Sequence, residues 1–199
     1  MFVYAVKNIN KGEEVTITYC DSFIPYTERA KKLQYFGFQC YCELCAFEKA
    51  NPTNATKEEI WRQAEAIGNN PLNIMQPTQQ VARQLEYLIQ QIKGNRIHGQ
   101  HTNTLQFHPL TSLYYMHKFL GNMEKCLEIL NQMMACCGDP FVHIHGVDIL
   151  LWMADCNFQL GNRQAARANI SFATTISQYR MGGDENLFKK AFSEAQKSL

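Results

Sequence analysis

The sequence predicts a mostly α-helical chain with a small β-rich piece near its N-terminal end. Three observations carry that expectation. Two short runs of apolar and β-branched residues, 2–6 and 15–19, flank a polar turn at Asn10-Lys11-Gly12, which is the signature of paired strands. After the turn-forming stretch Asn51-Pro52-Thr53-Asn54-Ala55 no convincing strand remains. From there on, apolar residues recur at helical spacing.

The elements follow in order. Residues 27–37 read as a helix, with Thr27 as its cap, Ala30 and Leu33 as its packing face and Gly37 as its left-handed stop. Thr56 and Glu59 form a capping box for a helix whose face carries Ile60, Ala64 and Ile67. Thr78 caps another, with the stripe Val81, Leu85, Leu88 and Ile92, ending at Gly94. Residues 95–108 read as a polar loop holding His98, His101 and His108. From Pro109 on the pattern is helix after helix, with Asp139-Pro140 and Asp184 marking two further starts.

A weak internal echo runs through this last part. Leu120-Gly121-Asn122 and Leu160-Gly161-Asn162 lie 40 residues apart in similar surroundings. Each is expected to close one helix and cap the next, an arrangement that resembles tetratricopeptide-type helical hairpins.

Composition narrows the functional classes. The 199 residues carry 19 Lys plus Arg against 18 Asp plus Glu, a formal charge of +1. That balance argues against a nucleic-acid or anionic-membrane footprint. At 46% hydrophobic the chain can bury a core. Its longest apolar run, Ile149 to Ala154, is far shorter than a membrane span. The eight cysteines read as reduced thiols of the cytosol or nucleus rather than a disulfide framework.

Three of those cysteines stand apart. Cys40, Cys42 and Cys45 fall within six residues in Phe36-Gly37-Phe38-Gln39-Cys40-Tyr41-Cys42-Glu43-Leu44-Cys45. Thiolates so spaced can converge on one point, as structural zinc requires. A closed zinc site takes four ligands, so the fourth must come from elsewhere. Cys20 reads as a buried small residue. Cys136 and Cys137, adjacent on a helix, diverge by about 100° and suit no shared metal. His143 and His145, two apart on an expected helix, face different sides. Trp61, Trp152 and the methionines read as core.

The run Gly12-Glu13-Glu14-Val15-Thr16-Ile17-Thr18-Tyr19, a short helix, and then Cys40, Cys42 and Cys45 follow one another in a telling order. Together they resemble the C-terminal end of a SET-domain protein-lysine methyltransferase, especially the branch related to the MYND-finger SET proteins. The resemblance covers roughly residues 2–46. It implies a SET remnant with a post-SET cysteine cluster over 1–46, a linker over 47–56 and a TPR-like helical domain over 57–199. It also implies a catalytic Tyr19 that orients the target amine, a Phe36 lining the lysine channel and a Phe38 beside the cofactor. Many relatives carry tyrosine at the Phe36 position, and the family often shows Arg-Asp-Ile where Lys7-Asn8-Ile9 stands here. The cofactors implied are zinc and S-adenosylmethionine. The partners implied are a protein substrate presenting a lysine and a protein bound by the helical domain, in the cytoplasm or nucleus, with no nucleic acid and no membrane.

In that family a Gly-rich segment and an Asn-His-Ser-Cys-type motif precede the Gly-Glu-Glu turn and hold S-adenosylmethionine; neither occurs in these residues. The expectation is therefore a C-terminal portion, inactive alone. The alternative is a non-catalytic helical interaction module on a vestigial zinc-bound SET platform.

Overall fold

The computed structural model describes residues 5, 8–15, 17–51, 54–92, 104–139, 143–180 and 186. Every regular element among them is a helix: α1 (Tyr26–Tyr35), α2 (Glu43–Ala50), α3 (Asn54–Gly68), α4 (Pro71–Met75), α5 (Gln79–Ile92), a single 3-10 turn Thr104–Gln106, α6 (Phe107–Phe119), α7 (Met123–Cys137), α8 (Gly146–Gln159) and α9 (Arg163–Arg180). The all-helical expectation for the later part agrees with this.

The β-rich piece does not. Among the described residues there is no strand; 15 and 17–19 run without regular structure, and 2–4, 6 and 16 lie outside the described set. The physical reason is visible in the exposures. Val15, Ile17 and Tyr19 are 72%, 67% and 51% exposed, so the β-branched run has no packed face. Strand preference is chiefly a fit to a half-buried pleated surface, and here no such surface is supplied. The polar turn does form, with Glu13 N–H donating to the Asn10 carbonyl at 3.0 Å.

The chain divides into two compact units, Thr16–Leu120 and Met1–Val15 with Gly121–Leu199. In the first, α3, α5 and α6 pack mutually. Their buried faces bring Ala64, Ala82, Leu85, Ile89, Leu110, Leu113 and Tyr114 together. Each large apolar side chain so buried contributes roughly 1.5–3 kcal/mol. Gly68, at the end of α3, lies where a Cβ would stand 2.5 Å from Ser112 Oγ of α6, so glycine permits this helix approach. Phe23, in the segment before α1, stacks on Phe107 of α6 at 4.0 Å and 13°.

In the second unit α8 packs on both α7 and α9, around Val147, Leu150, Ala173 and Ile176. The two Leu-Gly-Asn turns share one backbone shape: Gly121 and Gly161 have φ of 75° and 79°, and Cys126 and Ala166 each donate to the asparagine carbonyl four residues back at 3.0 Å. At Asn122 the cap is thus a backbone one, without a side-chain cap hydrogen bond.

Several local expectations are revised. Helix α1 starts at Tyr26 after Pro25, and Thr27 is no cap: its hydroxyl donates to Glu58 of α3 at 2.7 Å. Thr56 lies inside α3 rather than ahead of it. Helix α6 begins at Phe107, so His108 is helical and not in a loop. His143 and His145 precede α8 and stack at 5.4 Å. Residue 140 and residues 181–185, with two expected helix starts, lie outside the described residues, as does Gly94. Thr78 does cap α5, accepting from Val81 N–H at 3.2 Å.

Candidate metal centre

Glycine makes the turn that delivers the cysteines. Helix α1 ends at Tyr35 with Phe36 as its C-cap, and Gly37 continues at φ 77°, with its N–H on the Gln34 carbonyl. A side chain at that φ would be strained. The reversal carries Phe38 and Cys40 back along α1, and α2 starts immediately after Cys42.

The Sγ atoms of Cys40, Cys42 and Cys45 all lie within 4.8 Å of one another. Zinc–thiolate bonds of about 2.3 Å in a tetrahedron put sulfurs about 3.8 Å apart, so a small closure suffices. Among the described residues this is the one group of three or more His, Cys, Asp or Glu so convergent. Cys42 is exposed, Cys40 half-buried and Cys45 buried. The donor set fits a thiophilic ion such as zinc.

The electrostatics are uneven. Burial pushes the Cys45 thiol up to about 12, against the pull of Arg29. The Cys40 thiol is held below its usual range, chiefly by the backbone N–H of Cys42. Arg29 Nη2 lies 3.9 Å from Cys45 Sγ and also contacts the Glu48 carboxylate. Its Nη1 donates to the Ile24 carbonyl at 2.5 Å and to that of Ser22 at 3.4 Å. A guanidinium beside a metal thiolate offsets its charge and fixes its direction. Arg29 and Glu48 leave no signature in the sequence, because the contact that buries them joins residues 19 positions apart.

Tyr19, Phe36 and Phe38 form one aromatic group. The Tyr19 ring meets Phe36 at 5.5 Å and 55°, and Phe38 edge-on at 5.1 Å and 67°. Geometries of this kind add about 0.5–1.5 kcal/mol per pair. Phe38, Cys40 and Cys45 also line a cleft of about 200 Å³ with Tyr26, Leu33 and Gln34. The three aromatic and three cysteine candidates therefore converge, and Cys20 stands half-buried with its thiol raised by burial.

Two curated proteins match part of this sequence. A histone-lysine N-methyltransferase, set5 of Schizosaccharomyces pombe, is 48% identical over 48 residues. ATXR2 of Arabidopsis thaliana, another histone-lysine N-methyltransferase, is 46% identical over 43 residues. Part of the chain is related to SET-domain histone-lysine methyltransferases. The matches cover 24% and 22% of the chain, and only 15% and 9% of those two relatives. No family model matches the chain. Among the described residues no helix is long and apolar enough to cross a membrane.

Proposed function

We propose that these residues are the C-terminal portion of an S-adenosylmethionine-dependent protein-lysine N-methyltransferase of the MYND-finger-related SET branch. The observation that carries the reading is Tyr19 held against Phe36 and Phe38 beside three convergent thiols, in a chain partly related to histone-lysine methyltransferases. Cys40, Cys42 and Cys45 hold a structural zinc, with Arg29 as outer partner to Cys45. The zinc fixes the Phe36–Cys45 turn and so the two aromatic walls around Tyr19.

S-adenosylmethionine, when bound, supplies a methyl group on a sulfonium to the lysine amine. Such a displacement depends on alignment in a dry, polar-lined site. The Tyr19 hydroxyl orients the lysine amine, Phe36 forms a wall of its channel, and Phe38 faces the cofactor. Phenylalanine at position 36 keeps the wall apolar without a second hydroxyl, which bears on how many methyl groups are added. The substrate is a protein lysine, residues 57–199 form a TPR-like domain that binds a protein partner, and the protein acts in the nucleus or cytoplasm.

The 199 residues alone bind S-adenosylmethionine too weakly for activity. The Gly-rich and Asn-His-Ser-Cys-type segments that hold the cofactor in the family do not occur in these residues, and part of a pocket gains too little to offset its ordering cost. Calorimetric titration with S-adenosylmethionine is expected to give no saturable heat. The positive test grafts residues 2–46 into the fission-yeast relative in place of its matching stretch. The graft should transfer labelled methyl groups to histones, and Tyr19→Phe within it should abolish transfer. A Tyr19→Phe graft as active as the unsubstituted one would overturn the catalytic role.

A further inference from the structure

Two residues after Tyr19, Asp21 is gripped from a distant helix. His108 Nε2 of α6 donates to Asp21 Oδ2 at 2.6 Å, across 87 residues of sequence. The other oxygen, Asp21 Oδ1, accepts from the Phe23 N–H at 2.8 Å, and Phe23 stacks on Phe107, the neighbour of His108. Phe23 also meets the His108 ring edge-on at 6.2 Å. The segment that begins at Tyr19 is thus clamped to α6 by one ionisable contact and one stack.

We propose that His108 is a positioning residue for Tyr19: through Asp21 it fixes the Tyr19–Pro25 segment on α6, and the grip loosens when the imidazole loses its proton. The inference rests on the reading above only for calling Tyr19 catalytic. The grip itself stands on geometry within one compact unit.

The charges around the imidazole come from three elements. Asp21 faces it from the segment before α1, Glu65 from α3 and Lys32 from α1. Helix α4 and the 3-10 turn bear no charged residue; on α5 Arg83 is exposed and Glu86 pairs with His117 instead, at 3.4 Å. Burial pulls the imidazole down, but the hydrogen bond and charge of Asp21, with that of Glu65, outweigh it and raise the group above its ordinary value. Glu65 is itself raised by burial, against a hydrogen bond from Asn69 at 2.9 Å. A histidine raised in the folded state stabilises it fully below the ordinary value of about 6.5. That stabilisation disappears as pH rises through the raised value. The neutral ring still donates through Nε2, so the hydrogen bond persists but loses its charge assistance.

The test uses the whole 199-residue chain with Asp21→Asn and His108→Gln. The His108 ring is titrated by NMR, and hydrogen exchange is followed in peptides spanning 19–25, corrected for the intrinsic effect of pH. The native ring should titrate above the ordinary histidine range, and Asp21→Asn should lower it. Protection of 19–25 should fall about five- to tenfold across that titration, as expected for a partly exposed charge-assisted bond. In Asp21→Asn it should be low throughout and independent of pH. An unmoved titration in Asp21→Asn, or protection that ignores the titration, would overturn the proposal. If His108→Gln fails to fold, Asp21→Asn decides, because the carboxamide keeps the shape. Neither readout involves methyl transfer, so a failed graft would leave the grip standing, and a failed grip would leave the graft standing.

Discussion

Arg29 and Glu48 form a buried ion pair that ties α1 to α2, with side chains 3% and 9% exposed. Removing one partner of such a pair leaves an uncompensated buried charge and costs about 3–5 kcal/mol. Arg29→Met should therefore lower stability by that order in urea unfolding. Arg29→Met with Glu48→Leu should recover much of the loss, because both charges leave together. A single variant as stable as the native chain would show that the pair is not formed.

The second prediction concerns helix approach. Gly68→Ala places a methyl group 2.5 Å from Ser112 Oγ and 2.7 Å from its Cβ. Overpacking of this kind costs roughly 1–3 kcal/mol. The clash includes Cβ, so Ser112→Ala would not relieve it, whereas Ser112→Gly would. The check is a double-mutant cycle in thermal or urea unfolding: Gly68→Ala should cost clearly less when residue 112 is glycine. Equal cost in both backgrounds would place the strain elsewhere.

Thiol reactivity supplies the third. In metal-free chain near pH 8, Cys40 is favoured as thiolate by the Cys42 N–H, while Cys45 is buried and pushed up to about 12. Since the thiolate is the nucleophile, iodoacetamide should label Cys40 well before Cys45 in peptide mapping. As pH rises toward 12 the gap should narrow. Adding zinc should protect Cys40, Cys42 and Cys45 together. Cys45 labelled as fast as Cys40 would contradict the geometry.

What was legible in the sequence was local. Gly37 as a stop, Thr78 as a cap, most of the α5 stripe (Leu85, Leu88 and Ile92, though Val81 is only half-buried) and the three-cysteine cluster each leave a signature within a few residues, and these are found. What was not legible depends on partners far along the chain. Thr27 looks like a cap until Glu58, 31 residues away, takes its hydroxyl and amide. Arg29 looks solvated until Glu48 and Cys45 surround it. His108 looks like one of several loop histidines until Asp21 meets it. The run from Val15 to Tyr19 has strand composition, but side chains as exposed as these cannot supply the packing that makes a strand.

Metal content tests the site most directly. The purified chain, measured by elemental mass spectrometry beside protein concentration, should contain zinc. Cobalt(II) in its place should give the charge-transfer absorption of thiolate ligands. Serine at Cys40, Cys42 or Cys45 should remove the metal, whereas Cys126→Ser should not. With three ligands from this cluster, a chelator should strip the ion readily, and rebinding should release protons, because Cys45 must ionise. A chain that takes up neither zinc nor cobalt, or a triple-serine variant that holds zinc as the native chain does, would contradict the assignment.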